Sequence, residues 1–235
     1  MKKLTITTAT AITLAMSAVG ATAATLDISG IDSSWSAVVP GGVTVNNGDP
    51  TSSMRWGNPA GGAGQSGYDF TDAPTPILGL AADTQFVVGT FDHLNFPITG
   101  TTLDSADLNV DIQIGGGGPL VSSVFSFTHD ETTNANPCSP GSVSVCDDIV
   151  TVASAPGAEA FSLGGVDYVF QVLGFSTDGG STIVTDFLTQ ENSNNQAQLY
   201  ATFTAVSQVP LPAGMLLMGT ALAGFGVMRR RKKAA

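Results

Sequence analysis

Basic residues are scarce in this 235-residue sequence, and nearly all of them lie at its two ends. The chain has 8 Lys and Arg against 19 Asp and Glu. Arg55 is the only cation between residues 24 and 207, whereas all 19 acidic residues lie there, so this stretch has a formal charge of −18. Each phosphate contact needs a Lys or Arg. The composition therefore excludes nucleic acid, and an anionic membrane surface, as partners of this stretch.

Histidine is rare as well, and the two histidines, His93 and His129, lie in separate segments. No Gly-x-Ser-x-Gly motif accompanies them, which argues against a Ser-His-Asp hydrolase. A zinc site needs three or four ligands, and two distant histidines make a weak case for one. We expect both to be hydrogen-bonded residues of the fold and the protein to be non-enzymatic. A glycan hydrolase is a remote alternative, because 19 acidic residues nominate no particular catalytic pair.

Only two cysteines are present, Cys138 and Cys146, with Pro140 and Gly141 between them to turn the chain. In an exported protein this spacing predicts a local disulfide that closes a loop. A metal pair or a catalytic thiol is disfavoured, because no neighbouring His or basic residue is present to lower a thiol pKa. The sequence is also not that of a disordered acidic chain, since its hydrophobic content is 43% and it includes 12 Phe.

The N-terminus has the layout of a secretory signal peptide. Met1-Lys2-Lys3 precede an uncharged, largely apolar stretch, and Ala21 and Ala23 place small residues at the −3 and −1 positions of a cleavage site. We predict that residues 1–23 are removed by signal peptidase. An N-terminal membrane helix is the alternative, but the apolar stretch is short.

The C-terminus, residues 209–235, predicts a membrane helix at about 211–228 with a stop-transfer cluster after it. The cluster would stay on the cytoplasmic side and the body outside. A simple single-span anchor is one explanation. The residues concerned are the Pro-containing motif Val209, Pro210, Leu211, Pro212 and Ala213, and the cations Arg229, Arg230, Arg231, Lys232 and Lys233.

This order of motif, apolar helix and basic tail resembles the PEP-CTERM class of bacterial sorting signals, in the variant whose motif reads VPLPA. The resemblance implies recognition by an exosortase-type membrane protease and removal of the helix, as in a GPI signal. It also implies an inner-membrane-anchored precursor and a final location in the cell envelope, on the outer surface or in the extracellular matrix of a Gram-negative bacterium.

Between the two ends, residues 24–208 show short runs of β-branched and aromatic residues separated by Gly, Pro, Asn and Asp, without helical periodicity. Strict alternation is clearest over 107–114 and 197–205. We predict an all-β protein with a single β-sandwich domain of jelly-roll type, and a barrel is the alternative. The Gly- and Pro-rich stretch 40–76 is predicted to be a long surface excursion. Further predicted strands lie near Leu26 and Trp35 and over 85–91, 124–129, 148–153, 167–175 and 181–189.

Acidic residues cluster on both sides of the predicted disulfide loop: Asp130 and Glu131 with Asn134 before it, and Asp147 and Asp148 after it. A disulfide would draw these flanks together, and like charges that close are costly unless a cation or solvent relieves them. Carboxylate and amide oxygens are calcium ligands, so a calcium site is predicted here. A solvated acidic rim is the alternative.

The segment 86–98 resembles the hallmark stretch of the THxN family of PEP-CTERM proteins, which is related to the choice-of-anchor K domains. His93 and Asn95 stand where that motif has His and Asn, whereas Asp92 replaces its Thr. The resemblance implies an exported all-β surface or matrix protein. A purely structural role is also open, since His93 and Asn95 can bond backbone groups at a strand end before Pro97.

Together these patterns predict an exported, non-enzymatic protein associated with exopolysaccharide or biofilm. The alternative is a calcium-dependent carbohydrate-binding module, for which the carbohydrate rests on fold analogy alone. The expected partners are signal peptidase, the exosortase-type protease, the membrane before processing, and exopolysaccharide. Calcium is the one cofactor that the sequence suggests.

Overall fold

The computed structural model describes residues 25–62, 64–133, 137–138, 140–144, 146–154 and 159–206. The predicted signal peptide with Ala21 and Ala23, the motif Val209 to Ala213 and the cations Arg229 to Lys233 lie outside these residues. The described part of the chain contains no helix that could cross a membrane. All of its regular elements are β-strands, which confirms the all-β prediction.

The strands form two large antiparallel sheets and one small one. In spatial order the first sheet contains β14 (Asp186–Thr189), β11 (Asp148–Ser154), β10 (Leu120–Asp130), β9 (Ser105–Ile114), β1 (Leu26–Val39) and β6 (Ile77–Leu80). The second contains β12 (Ala160–Leu163), β13 (Val166–Ser176), β15 (Ser193–Val206), β7 (Gln85–Asn95), β5 (Ser66–Asp72), β3 (Thr51–Trp56) and β2 (Thr44–Asn46). The small sheet pairs β4 (Asn58–Pro59) with β8 (Ile98–Thr99).

Alternation in the sequence becomes alternation in burial. In β9 every second residue from Ala106 to Ile114 is buried, and the residues between them are half-buried. β15 buries Ala197, Leu199, Ala201 and Phe203 on its inner face, and Tyr200 and Thr202 between them are buried as well. A fully buried Leu or Phe contributes roughly 1.5 to 3 kcal/mol. Burial of these apolar side chains therefore determines which face of each strand packs on the core.

The core lies between the two large sheets and is rich in aromatic rings. Tyr68 and Phe91 of the second sheet meet Phe127 of the first, with Phe91 and Phe127 centroids 5.4 Å apart. Trp35 of β1 packs edge-on against Phe127 at 5.1 Å. Tilted and edge-on arrangements at these distances are the ones that aromatic rings favour. One continuous core thus joins the inner faces of the two sheets.

The predicted surface excursion over 40–76 is wrong. This stretch forms β2, β3 and β5 of the second sheet, and its side chains Met54, Trp56, Tyr68 and Phe70 are buried in the core. The glycines and prolines mark turns between short strands, as Gly57 does at a φ of 70°. Turn residues were frequent enough here to obscure the strands between them.

The connectivity also departs from the jelly-roll arrangement that the sequence suggested. Consecutive strands β9, β10 and β11 lie side by side in the first sheet, and β2 and β3 are neighbours in the second. The chain therefore makes hairpins within a sheet as well as crossings between sheets. The expected type of sandwich is revised by this order, whereas the all-β class is not.

The predicted disulfide between Cys138 and Cys146 is confirmed. It closes the connection between β10 and β11, two neighbouring strands of the first sheet. Thr132 donates its hydroxyl to the carbonyl oxygen of Cys146, which ties the start of this connection to its end. The loop therefore lies close to the ends of β10 and β11.

Candidate functional site

The two histidines, far apart in sequence, meet across the core. His93 extends inward from β7 of one sheet, and His129 extends inward from β10 of the other. Their ring centroids are 5.0 Å apart with an interplanar angle of 88°. His93 is 0% exposed and His129 is 8% exposed. The sequence distance between the histidines, which counted against a zinc site, is therefore no obstacle to one.

Carboxylates complete the cluster at the disulfide end of the core. Asp148, the first residue of β11, lies with Oδ2 at 4.0 Å from Nε2 of His129, and Oε2 of Glu131 lies 3.3 Å from the same nitrogen. One donor atom from each of His93, His129 and Asp148 falls within 4.8 Å of the others, as it does for Glu131, Asp148 and Glu191. We call these five residues the His–carboxylate cluster.

A hydroxyl group lies within hydrogen-bond distance of Nδ1 in each histidine ring. Nδ1 of His93 lies 2.8 Å from Oγ1 of Thr189. That hydroxyl donates its single proton to the carbonyl oxygen of Asp148 at 3.2 Å, so it accepts its bond from Nδ1–H of His93. Nε2 of His93 therefore carries a lone pair. Nδ1 of His129 shares a 2.7 Å hydrogen bond with the hydroxyl of Tyr68, and its Nε2 faces the carboxylates.

Two polar atoms inside the cluster have no hydrogen-bond partner among the described residues: Nε2 of His93 and Oδ2 of Asp148. The other oxygen of Asp148 accepts a hydrogen bond from the amide of Thr132 at 2.8 Å. Leaving a buried polar group unsatisfied costs about 1 to 3 kcal/mol. These two atoms belong to residues whose donor groups lie within 4.8 Å of one another, so a single bound species could satisfy both.

Burial favours the neutral forms of Asp148 and His93. Desolvation, together with the charges of Glu131 and Glu191, raises the pKa of Asp148 to about 7, against the opposing effects of the Thr132 amide and His129. Desolvation, assisted by His129, lowers the pKa of His93 well below its usual value. A protein without a cation at this place therefore disfavours the charged forms of both groups.

Aromatic side chains cover the two histidines of the cluster. Trp56 stacks on His93 at a centroid distance of 5.9 Å and an angle of 26°. Tyr68 meets His93 edge-on at 5.1 Å and His129 at 5.7 Å.

Asn95, two residues beyond His93 on the same face of β7, donates to the carbonyl oxygen of Thr189 at 3.1 Å. The predicted structural role of Asn95 in bonding backbone is confirmed, whereas His93 bonds a side-chain hydroxyl instead.

The residues predicted to bind calcium separate into different environments. Glu131 and Asp148 enter the cluster, whereas Asp130 is exposed on the opposite face of β10. Asp147 turns into the disulfide loop, where its carboxylate accepts hydrogen bonds from the amides of Val143 and Ser144, both at 2.9 Å. Asn134 lies outside the described residues. The expected convergence of four carboxylates is thus limited to two, and calcium binding itself stays a prediction.

Sequence reasoning missed Tyr68, Thr189 and Glu191 as members of this region. They come from β5, the end of β14 and the turn that follows it, none of which has a distinctive sequence motif. A signal did exist for His129, because it shares the inward face of its strand with Phe125 and Phe127. The strand pattern therefore predicted which way His129 turns, but not what it meets.

A shallow groove on the outside of the protein includes Asp147 and Gln190, which precede Asp148 and Glu191 of the cluster in the sequence. Its volume is about 440 Å³, and amide and hydroxyl groups dominate its wall. Its lining includes Asp147, Gln190, Ser193, Asn194 and Gln196. This is a polar surface with several hydrogen-bond donors and acceptors.

No protein-family model matches the chain, and no curated protein matches it. The resemblances to PEP-CTERM and THxN proteins therefore rest on the sequence motifs alone.

Proposed function

We propose that the chain is an exported, non-enzymatic β-sandwich protein of the cell envelope or extracellular matrix, sorted by an exosortase-type protease. The observation that carries the proposal is the disulfide between Cys138 and Cys146. Such bonds persist in oxidising compartments outside the cytoplasm. The disulfide agrees with the signal-like N-terminus and with the VPLPA motif and basic tail, which together specify export and sorting.

The burial of the His–carboxylate cluster supports a non-enzymatic role. His93 and Asp148 are each 0% exposed, and the ring of Trp56 covers one face of His93. A catalytic site needs a path for substrate to its reacting groups. The most chemically distinctive groups of the described chain therefore favour a structural task.

The charge distribution supports an association with exopolysaccharide through bridging cations. Arg55 is the only cation in the described chain, and a bidentate ion pair with Asp69 occupies its guanidinium, at 2.8 and 2.9 Å. The surface is otherwise acidic. An acidic polysaccharide would need divalent ions to approach it.

Mass spectrometry of the mature protein tests the export and sorting proposal. We expect an N-terminus directly after Ala23 and a C-terminus that lacks Arg229 to Lys233. Replacing these five cations with neutral residues should prevent correct sorting, whereas exchanging each Arg for Lys and each Lys for Arg, which keeps the charges, should not. A secreted form with an intact basic tail would contradict the proposal.

A calcium-dependent carbohydrate-binding module is the second candidate, favoured by the groove of about 440 Å³ with its amide side chains. Sugar hydroxyls need such donors and acceptors. Calorimetry with an acidic polysaccharide, with and without calcium, tests it. Asn194→Ala and Gln196→Ala should each weaken binding if the groove is used. Absence of heat in both conditions would remove this candidate.

A further inference from the structure

We propose that the His–carboxylate cluster is a buried structural metal centre that holds one divalent transition-metal ion, with Zn²⁺ as the expected occupant. Its ligands are Nε2 of His93, Nε2 of His129 and Oδ2 of Asp148, and Glu131 supplies the fourth. The proposal rests on the geometry of these side chains and does not depend on where the protein is sorted.

The donor set selects the class of metal. Two imidazole nitrogens with one or two carboxylate oxygens suit zinc and its neighbours in the first transition row. Calcium prefers six to eight oxygen ligands. The described cluster offers two nitrogens in the space where calcium would need oxygens. The site therefore replaces the calcium ligands predicted from sequence with a set of different chemistry, although Glu131 and Asp148 belong to both.

The spacing of the donors also fits one ion. Donor atoms of His93, His129 and Asp148 lie within 4.8 Å of one another. Zinc at about 2.0 to 2.2 Å from each ligand in a tetrahedron brings ligand atoms to about 3.4 Å from one another. A pair at the 4.8 Å limit would have to close by about 1.4 Å when the ion binds.

Hydrogen bonds at Nδ1 orient both histidine rings so that Nε2 is directed toward the proposed metal ion. Metal-bound histidine usually donates its other N–H to a carboxylate, a carbonyl or water, and the hydroxyl of Thr189 takes that part for His93. Because the same hydroxyl donates to the carbonyl oxygen of Asp148, Nε2 of His93 keeps its lone pair. With an ion on Nε2 of His129, Nδ1 of that ring would carry the proton and donate it to the hydroxyl of Tyr68, which lies 2.7 Å away.

A cation would resolve the two unsatisfied atoms of the site. Nε2 of His93 and Oδ2 of Asp148 are buried without hydrogen-bond partners among the described residues, and both belong to the cluster. A dication also balances the negative charges of Asp148 and Glu131, whose close approach in a desolvated place is otherwise unfavourable. A buried water would satisfy the hydrogen bonds but would not balance the charges.

Burial and position make this a structural rather than a catalytic centre. Structural zinc sites are closed by four protein ligands, whereas catalytic ones keep an open position. Here His93 belongs to one sheet and His129 and Asp148 belong to the other. One ion would therefore join the two sheets at the end of the core where the disulfide closes the loop between β10 and β11.

Metal titration of the full-length chain, purified in detergent and stripped with a chelator, tests the proposal. We expect uptake of one equivalent of Zn²⁺, a higher Tm after uptake, and no competition from a large excess of Ca²⁺. Co²⁺ should replace Zn²⁺ and give the intense visible absorption of a four-coordinate site. Absence of stoichiometric Zn²⁺ uptake, or a weak six-coordinate Co²⁺ spectrum, would overturn the proposal without reference to any variant.

Matched variants then locate the site. His93→Gln and Asp148→Asn should weaken Zn²⁺ affinity by more than about 100-fold, and Tyr68→Phe by about 10- to 100-fold, because outer partners carry that much of a metal site's affinity. Asp130→Asn removes a neighbouring charge from the exposed face of β10 and should leave affinity unchanged. Circular dichroism of each stripped variant verifies the fold. Equal Zn²⁺ affinity in Asp148→Asn and Asp130→Asn would place the ion elsewhere and overturn the assignment.

Discussion

Two acidic side chains, Asp148 and Asp72, are buried in different ways. Asp148 faces two histidines, whereas Asp72 of β5 is 8% exposed, and its carboxylate has only weak hydrogen bonding, from Ser33. Burial raises the pKa of Asp72 to about 6; the charges of Asp32 and Asp49 add to this, and nearby Ser33 partly opposes it. The burial of Asp148 is therefore explained by the two histidines that it faces. Asp72 has no such partner, and its charged form destabilises the fold.

Replacing Asp72 with Asn should remove a pH dependence of stability. Because the folded-state pKa of about 6 lies above the ordinary value of 3.8, the protonated carboxyl favours the folded state at low pH. This contribution is lost as the pH rises from about 4 through 6. The difference in unfolding free energy between Asp72→Asn and the parent should be about 1 to 2 kcal/mol more favourable to the variant at pH 7.5 than at pH 4. This range allows for the partial solvation of the Asp72 carboxyl.

Urea unfolding at both pH values measures this difference. Asp83→Asn is the control, because it removes one charge from an exposed turn, where Asn tolerates the positive φ of 61°. Its effect at each pH measures the loss of one surface charge and is subtracted from the effect of Asp72→Asn. If Asp72→Asn and Asp83→Asn change the unfolding free energy by the same amount at each pH, folding does not raise the pKa of the Asp72 carboxyl.

At the scale of a single element, a β-bulge in β7 decides whether His93 faces the core. The buried residues before the bulge are Phe86 and Val88, which have even numbers. After the bulge they are Phe91, His93 and Asn95, which have odd numbers, so the buried face changes at Gly89. The register against β15 shifts at the same place. A bulge adds one residue to one strand and transfers later side chains to the other face. Simple alternation from Phe86 would have turned His93 to solvent.

Gly89 makes this bulge possible, so Gly89→Ala should destabilise the fold and weaken metal binding together. A Cβ at this position would lie 2.4 Å from the Phe70 ring and 2.6 Å from the carbonyl oxygen of Thr71. Overpacking of a core costs about 1 to 3 kcal/mol. Thermal unfolding with Zn²⁺ titration measures both effects.

Gly30→Ala provides the matched control for this prediction. Gly30 also lies within a strand, β1, but an added Cβ would meet only Cβ of Gln113 at an ordinary 3.6 Å. We expect its effect on unfolding free energy to stay within about 0.5 kcal/mol. If both variants have the same stability and Zn²⁺ affinity, the close packing at Gly89 has no role in the site.

At the scale of the whole molecule, charge of one sign dominates the surface. All 19 acidic residues of the chain belong to the described part, together with one paired cation, Arg55. Such an excess repels itself and weakens the compact state. Salt shortens the range of this repulsion to about 8 Å at physiological ionic strength. The fold is therefore suited to a medium that contains salt or divalent ions.

Raising NaCl from 0.05 to 0.5 M should increase the Tm by several degrees, because screening relieves repulsion that is stronger in the folded state. Differential scanning calorimetry of the chelator-stripped protein measures the change. Sucrose at equal osmolality is the control, since it stabilises through exclusion and not through screening. A salt effect no larger than that of sucrose would mean that charge repulsion contributes little to stability.

The sequence by itself determined the faces of the regularly alternating strands, the disulfide and the separation of charge, because each depends on neighbouring residues or on composition. The alternation from Leu108 to Ile114 and the turn between Cys138 and Cys146 are local features of this kind. Only the tertiary structure decided that His93, His129 and Asp148 converge. Their meeting depends on the bulge at Gly89 and on the packing of two sheets face to face, and neither has a signature in the spacing of residues along the chain.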